Sequence, residues 1–372
     1  MENKSLLNKI ALSLIPKVGP VIARNLVSYI GSVDGIFKET AGRLQKIPNI
    51  GTQLVSNITN NKKYFEKAEK EIEFIIKNNI NARFYLDNDY PVRLKNCPDG
   101  PMVLYTKGNV DFNNTKVISI VGTRNATEIG IENCKNLVKN IKSHKPIIVS
   151  GLAYGIDICA HNTALENGLD TIAVLGHGLD NLYPSIHKPV ADKIISNGAL
   201  VSDFTSEAKF LRTNFVRRNR IIAGLSDATI VVESAVKGGA LITADIANSY
   251  NRDVFAFPGR VSDKYSVGCN KLIKSNKAGL IESIADIEYI LGWEQNLPKN
   301  NIQTKLFVEF SEDEKIILSA LKDSNPVTID IICLKVNMPS SKVSPVLLSL
   351  EFQGVVASLP GKAYKINSTY IY

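Results

Sequence analysis

Residues Pro146–Glu166 read PIIVSGLAYGIDICAHNTALE. Pro146–Ser150 is a short strand, the glycine loop Gly151-Leu152-Ala153-Tyr154-Gly155 follows, and Ile156–Glu166 reads as a helix. The same unit recurs on both sides. Val117–Val121, apolar and β-branched, runs into Gly122-Thr123-Arg124 and a helical stretch. Thr171–Leu175 runs into Gly176-His177-Gly178, and Ala228–Val232 into Glu233 and a loop ending Gly238-Gly239, before a helix over Ala240–Tyr250. Ala199–Ser202 is a further short strand, and Val254–Phe257 leads into Pro258-Gly259. Strand, glycine loop and helix in repetition predict an α/β fold, an extended Rossmann-like parallel sheet with helices on both faces. Such a sheet takes its ligand beyond the C-terminal ends of the strands, where these loops gather.

A basic stretch crosses this region. Lys209–Ser226 reads KFLRTNFVRRNRIIAGLS; its first twelve residues hold Lys209, Arg212, Arg217, Arg218 and Arg220, with no acid and with Phe215 in the middle. The run turns apolar at helical spacing through Ile221, Ile222 and Leu225. The expectation is a helix tied to the core at its C-terminal end and presenting guanidinium groups at its N-terminal end. Arginine forks match phosphate oxygens, and an aromatic face stacks on a base. The alternative is a solvated basic face. Arg124 and Lys237, at the ends of two other strands, are expected on the same edge.

The chain has 372 residues, enough for two or three domains, and 44% apolar content supports a core. Forty-four basic against 36 acidic residues give a formal charge of +8, which permits an acidic partner without requiring one. Cys97, Cys134, Cys159, Cys269 and Cys333 are scattered and form no CxxC pair, so free thiols in a reducing cytosol are expected and a zinc site is not. No stretch reaches the ~18 apolar residues of a membrane span and no cleavage signal opens the chain, so a soluble cytoplasmic protein is expected. There is no GxxxxGK[ST] and no GxGxxG with a downstream ribose-binding acid, and no cofactor or metal is expected.

Two shorter blocks flank the middle. In residues 1–79, IPKVGPVIARNLV from Ile15 and IPNIGTQLVSNI from Ile47 share Ile-Pro, two residues and a glycine before an amphipathic helix. This is the pattern of paired helix-hairpin-helix elements. Gly19 and Gly51 are expected to turn the backbone and leave free N–H groups at the next helix N-terminus, which attracts phosphate. A plain helical bundle is the alternative, since only Lys17, Arg24 and Lys46 lie near these turns. Lys62–Lys77 reads as a charged linking helix. Asn296–Thr304 reads as a linker after the middle block, residues 80–295. In residues 305–372, three helices from Ser311, Thr328 and Ser340 and a hairpin through Pro360-Gly361 predict a winged-helix-like domain. Its third helix has Lys342 as its only base, too few cations for duplex binding, so protein contact or self-regulation is expected.

Two further constellations have an enzymatic reading. Asp157 and His161 share a helix face and could pair as acid and base, although a histidine between Ala160 and Ala164 more often holds structure. Glu233 ends a strand beside Gly-Gly, but with no second carboxylate or nucleophile it is expected to pair with a nearby arginine.

VGTR at Val121, SGLAYGIDICAH at Ser150, GHGLDNLYP at Gly176, FVRRNRIIAGLS at Phe215, VVESAVKGGALITADIA at Val231 and RDVFAFPG at Arg252, in this order, resemble the DNA-processing protein A (DprA/Smf) family. The resemblance implies a Rossmann-like domain that binds single-stranded DNA, flanked by a sterile-alpha-motif-type helical domain and a winged-helix-like domain. It implies no enzyme but a homodimer that protects incoming DNA and loads RecA recombinase during natural transformation. The DNA contacts it implies are clearest for Arg124, Phe215, Arg218 and Arg220, with Arg212 beside the aromatic. The full expected set is Gly122, Thr123, Arg124, Ser150, Gly151, Gly178, Arg212, Phe215, Arg217, Arg218, Asn219, Arg220, Lys237, Gly238 and Gly239. Val216 stands where members often have proline, and Lys237 also departs from many members. Two rival readings remain. One is a nucleotide-handling enzyme of the phosphoribohydrolase type with Glu233 as acid, disfavoured because the glycines follow Glu233. The other is a structural adaptor acting through its end domains.

Overall fold

The structure is a computed structural model that describes residues 2–293, 310–322, 326–359 and 362–367. The chain divides into two compact units, Met1–Glu294 and Gln295–Tyr372. The first opens with α1 Glu2–Leu14, α2 Pro20–Ile30, α3 Val33–Lys38, α4 Ala41–Leu44, α5 Thr52–Thr59 and α6 Lys62–Lys77. The sheet region follows as β1 Asn81–Phe84, α7 Val92–Lys95, β2 Val103–Gly108, β3 Val117–Val121, α8 Glu128–Asn140, β4 Ile147–Ser150, α9 Ile156–Glu166 and β5 Thr171–Val174. It continues as α10 Lys188–Ser196, β6 Gly198–Ser202, α11 Arg212–Leu225, β7 Ala228–Val231, α12 Gly239–Ser249, β8 Asp253–Ala256, α13 Val267–Lys274, β9 Gly279–Leu280 and α14 Ile284–Leu291.

The nine strands form one sheet in the order β1-β2-β6-β5-β4-β3-β7-β8-β9. From β6 to β9 all pairs are parallel. Strands β3, β4, β5 and β7 are buried along their whole length, which is why they read as continuous apolar runs rather than alternating ones. The sheet is mixed, not wholly parallel: β1 and β2 add an antiparallel edge, with β2 against β6. The chain steps outward from β3 through β4 and β5 to β6, then α11 carries it back to β7 on the other side of β3. The strand order reverses between β3 and β7, and such a point opens a crevice at the strand ends.

The N-terminal helices belong to the same core. Ile10, Leu12, Leu26, Leu44 and Ile58 join one buried cluster with Val117, Val149, Val174 and Val231 of the sheet. Helix α6 is not a bare linker: it buries Tyr64, Ala68, Glu71 and Ile75. The hairpin glycines also differ from expectation. Gly19 and Gly51 are the N-caps of α2 and α5, with φ of −91° and −82°. The left-handed residues are Lys17 and Asn49, φ 70° and 66°, two positions earlier in each repeat. Each turn therefore does not depend on its glycine; a glycine there keeps the helix end free of any side chain.

The second unit has its own core, including Ile317, Leu321, Val343 and Leu347. Helices α15 Glu312–Lys322, α16 Ile329–Val336 and α17 Ser340–Phe352 stand with a small sheet of β10 Val327–Thr328, β11 Val356–Leu359 and β12 Ala363–Ile366. Helix α15 starts with Ser311, whose hydroxyl accepts from Glu314 N while Glu314 accepts from Ser311 N. Lys342, the base of α17, pairs with Asp313 at 3.2 Å. The expected linker Asn296–Thr304 and the turn Pro360-Gly361 lie outside the described residues. Among the described residues no helix is long and apolar enough to cross a membrane, and no group of three or more His, Cys, Asp or Glu is placed to hold a metal.

Candidate nucleic-acid interface

A cleft of about 860 Å³ opens at the β3–β7 reversal. One wall is the β3 loop, Gly122, Thr123, Arg124 and Asn125; another is the β7 loop, Ser234 to Gly239. The N-terminal half of α11 closes it with Arg212, Phe215, Val216, Arg218 and Asn219. Ten of the expected residues are thus brought together: Gly122, Thr123, Arg124, Arg212, Phe215, Arg218, Asn219, Lys237, Gly238 and Gly239. Five are not part of its lining: Ser150, Gly151, Gly178, Arg217 and Arg220.

The cations fall into two classes, which corrects the expected row of presented guanidinium groups. Arg124, Arg212 and Lys237 are exposed and form no ion pair among the described residues. Arg218 is 4% exposed. Its Nη1 donates to Gly151 O at 2.8 Å and to Val174 O, so it ties α11 to the ends of β4 and β5. Burial lowers its pKa to about 10 while the nearby Asp157 carboxylate supports its charge, so it remains a cation at neutral pH. Arg220 is likewise buried and donates to Asp203 at 2.7 Å; Arg217, more exposed, reaches the same carboxylate oxygen at 3.1 Å. Asn219 is buried and donates to Gly239 O, fixing α11 to the start of α12. Ser150 is fully buried and donates to Ile120 O at 2.6 Å. Gly151 and Gly178 are buried; a side chain at Gly151 would overlap the Arg218 guanidinium, at 2.3 Å. Gly155 turns the same loop at φ +77°, with Thr123 O where its Cβ would stand.

The aromatic wall is larger than the single Phe215. Phe215 is half-buried over Gly176 and meets Phe210 at 5.4 Å and Tyr183 at 5.9 Å between ring centroids. Phe210 and Tyr183 lie 5.1 Å apart and are 53% and 46% exposed. Both line the cleft. Phe210 sits inside the basic stretch, and Tyr183 inside GHGLDNLYP; only the fold brings the three rings together.

The residues of the two enzymatic constellations have partners other than those expected. Glu233 pairs with no arginine, contrary to expectation: it accepts from Thr127 N at 2.9 Å and from Thr127 Oγ1 at 2.5 Å. Thr127 is the N-cap of α8, so this carboxylate secures a helix N-terminus. Asp157 and His161 do not pair either. The His161 Nδ1 meets the Thr171 hydroxyl at 2.7 Å, and that hydroxyl donates to Ile148 O, so the imidazole donates through Nδ1. His161 is fully buried, and burial together with the Arg218 charge lowers its pKa to about 3. Asp157 accepts from Ala153 N at 3.4 Å, and burial raises its carboxyl.

Residues 81–291 match the family model described as DNA recombination-mediator protein A. The chain belongs to this family. Residues 308–362 match the DprA winged helix domain, and residues 10–60 match a SAM-like helix-hairpin-helix tandem. Similarity to DprA/Smf proteins extends along the chain. The Smf protein of Synechocystis is 32% identical, over 98% of this chain and 100% of its own length. The solved structure of DNA processing protein A from Streptococcus pneumoniae superposes with a TM-score of 0.62 at 31% identity, covering 76% of this chain and 95% of that one. The DNA processing protein A of Helicobacter pylori, solved to describe its binding of single-stranded DNA, gives a TM-score of 0.52 at 27% identity. It covers 57% of this chain and 96% of its own.

Proposed function

We propose that this DprA/Smf family member binds single-stranded DNA in the β3–β7 cleft and does no chemistry on it. It shields incoming DNA and loads RecA recombinase onto it during natural transformation and homologous recombination, working as a homodimer in the cytoplasm. The observation that carries the reading is the pairing, within one cleft, of an exposed aromatic wall, Tyr183 and Phe210 beside Phe215, with the exposed cations Arg124, Arg212 and Lys237. Aromatic faces take splayed bases, which a duplex does not offer, and the cations take the phosphates. The single-strand binding described for the Helicobacter pylori relative supports it. The engagement of Glu233 at Thr127 supports the view that it is not a free catalytic acid.

The test compares affinity for an oligothymidine and for a duplex of the same length at matched salt, then follows RecA filament growth on a strand coated with single-strand-binding protein. Preference for the single strand and faster filament growth are expected. Equal affinities overturn the cleft assignment; tight binding without any effect on RecA overturns the loading role.

A further inference from the structure

A second cleft, of about 750 Å³, lies on the other flank of α11. It is lined by the first hairpin, Ser13 to Pro20, by Tyr105 of β2, by Asp203, and by Arg217 and Arg220 of α11. Val216, 46% exposed, lines both clefts and forms the crest between them. We propose that a strand seated in the first cleft continues over Val216 into this one, where its phosphates meet Lys17, Arg217 and the N-terminus of α2. The proposal rests on the single-strand reading of the first cleft and extends its path.

Two independent observations carry it. The first is the helix end. Helix α2 starts at Gly19 with no side-chain cap and no acid in its first turn. Its first internal bond is Ala23 N to Gly19 O, so the Val21 and Ile22 amides have no partner among the described residues. Such an end attracts phosphate. The charged residues of the wall are Lys17, Arg217 and Arg220 against Asp99 and Asp203, a surplus of one positive charge. Asp203 bridges both arginines and Asp99 accepts from the Tyr250 hydroxyl, so neither carboxylate is loose.

The second observation is in the wall itself. Arg220 Nε and Asp203 Oδ1 are buried and have no hydrogen-bond partner among the described residues. The Arg220 and Asp203 side chains are 9% and 2% exposed. Buried polar atoms are almost always paired, with protein or with a bound polar group. A DNA strand supplies both kinds of partner, phosphate oxygens that accept and base N–H groups that donate. The second hairpin is the internal contrast: α5 starts at an equally open Gly51, yet that hairpin lines neither cleft.

The full chain tests this with three variants. A Cβ at Gly19 would meet no other atom within 4 Å, and the residue has an ordinary negative φ, so Gly19→Asp and Gly19→Ala are both unstrained, but only the aspartate caps the open amides. Only the aspartate repels phosphate. Gly51→Asp is the control. Affinities are measured for oligothymidines of about 4 and about 16 residues, spanning the usual single-strand site sizes. Gly19→Asp should weaken the longer oligomer about tenfold at low salt and flatten its salt slope by roughly 0.7 per lost contact. Gly19→Ala and Gly51→Asp should leave it close to wild type, and none of the three should change the shorter oligomer. Equal affinity of Gly19→Asp and Gly19→Ala for the longer strand overturns the proposal, as does an equal loss in Gly51→Asp. If Arg124→Ala leaves the shorter oligomer unaffected, the first-cleft reading fails, and the continuation with it.

Discussion

Burial divides the residues of α11 and its neighbours by the job each can do. Arg124 and Lys237 are exposed, so in the proposed single-strand site their contribution would come from counterion release. Arg124→Ala or Lys237→Ala should reduce the slope of log affinity against log salt by roughly 0.7 each, with melting temperature unchanged. Arg218 is bonded to two strand ends beside Asp157. Arg218→Ala takes the donor away from two buried carbonyls, each a cost of about 1–3 kcal/mol, so a melting curve should show a large loss of stability. Phe210 is half in solvent, so Phe210→Ala should lose about 1–3 kcal/mol of binding at every salt concentration, without loss of melting temperature. A steeper salt dependence in that variant would remove Phe210 from the stacking wall. His161 supplies a pH test. Its folded pKa of about 3 lies below the ordinary 6.5, so between these values the unfolded chain binds the extra proton. Stability therefore rises with pH across that window and falls as the medium acidifies. His161→Asn should flatten the dependence of unfolding free energy on pH between about 4 and 6; the raised Asp157 carboxyl acts in the opposite sense and remains in the variant.

Among the elements, the loop from Asp203 to Leu211 carries Phe210 to the cleft, and α6 holds it. Both Glu71 carboxylate oxygens accept from Ser206 N, at 2.9 and 3.1 Å, and Oε2 also accepts from Ser206 Oγ at 2.6 Å. Burial pushes the Glu71 carboxyl up, and the Ser206 bonds oppose this. Glu71→Ala leaves the half-buried Ser206 N–H without its acceptor, a cost of about 1 kcal/mol. The expected outcome is a lower melting temperature together with weaker single-strand binding, because the loop that positions Phe210 is released. Hydrogen exchange localised to residues 203–211 would confirm the coupling; weaker binding with exchange unchanged there would refute it. This latch links an N-terminal helix to a loop 135 positions away, and nothing in the local pattern of Lys62–Lys77 signals it.

For the whole molecule, the distribution of cores decides which pieces stand alone. The winged-helix cluster contains only residues of the second unit. The cluster that includes Ile10, Leu26 and Ile58 is continuous with the sheet. A chain ending at Glu294 should therefore fold and keep most of its affinity for short oligothymidine, as measured by titration against the full chain. A chain beginning at residue 80 should aggregate or melt early, since it uncovers the sheet face beneath α1 to α6. Retained stability in the second, or lost binding in the first, would each show that this division of the core is misjudged.

Strand positions, their parallel association and the cleft loops were legible because each depends on local signals. Val117–Val121, Pro146–Ser150 and Ala228–Val232 are apolar runs that a doubly covered sheet requires, and the glycines after them mark the turns at the strand ends. The family resemblance followed from the same loops. Only the tertiary structure decided which charges face solvent. Arg217 and Arg218 are adjacent in sequence, yet one lies at the surface and the other under the ends of β4 and β5. Likewise the partner of Glu233 is Thr127, the aromatic wall joins residues 183, 210 and 215, and β1 and β2 run antiparallel. Periodicity reports what a segment does along its own axis. Burial and pairing depend on which distant segment is packed against it, and a charged side chain keeps the same identity whether it meets water or a strand's last carbonyl.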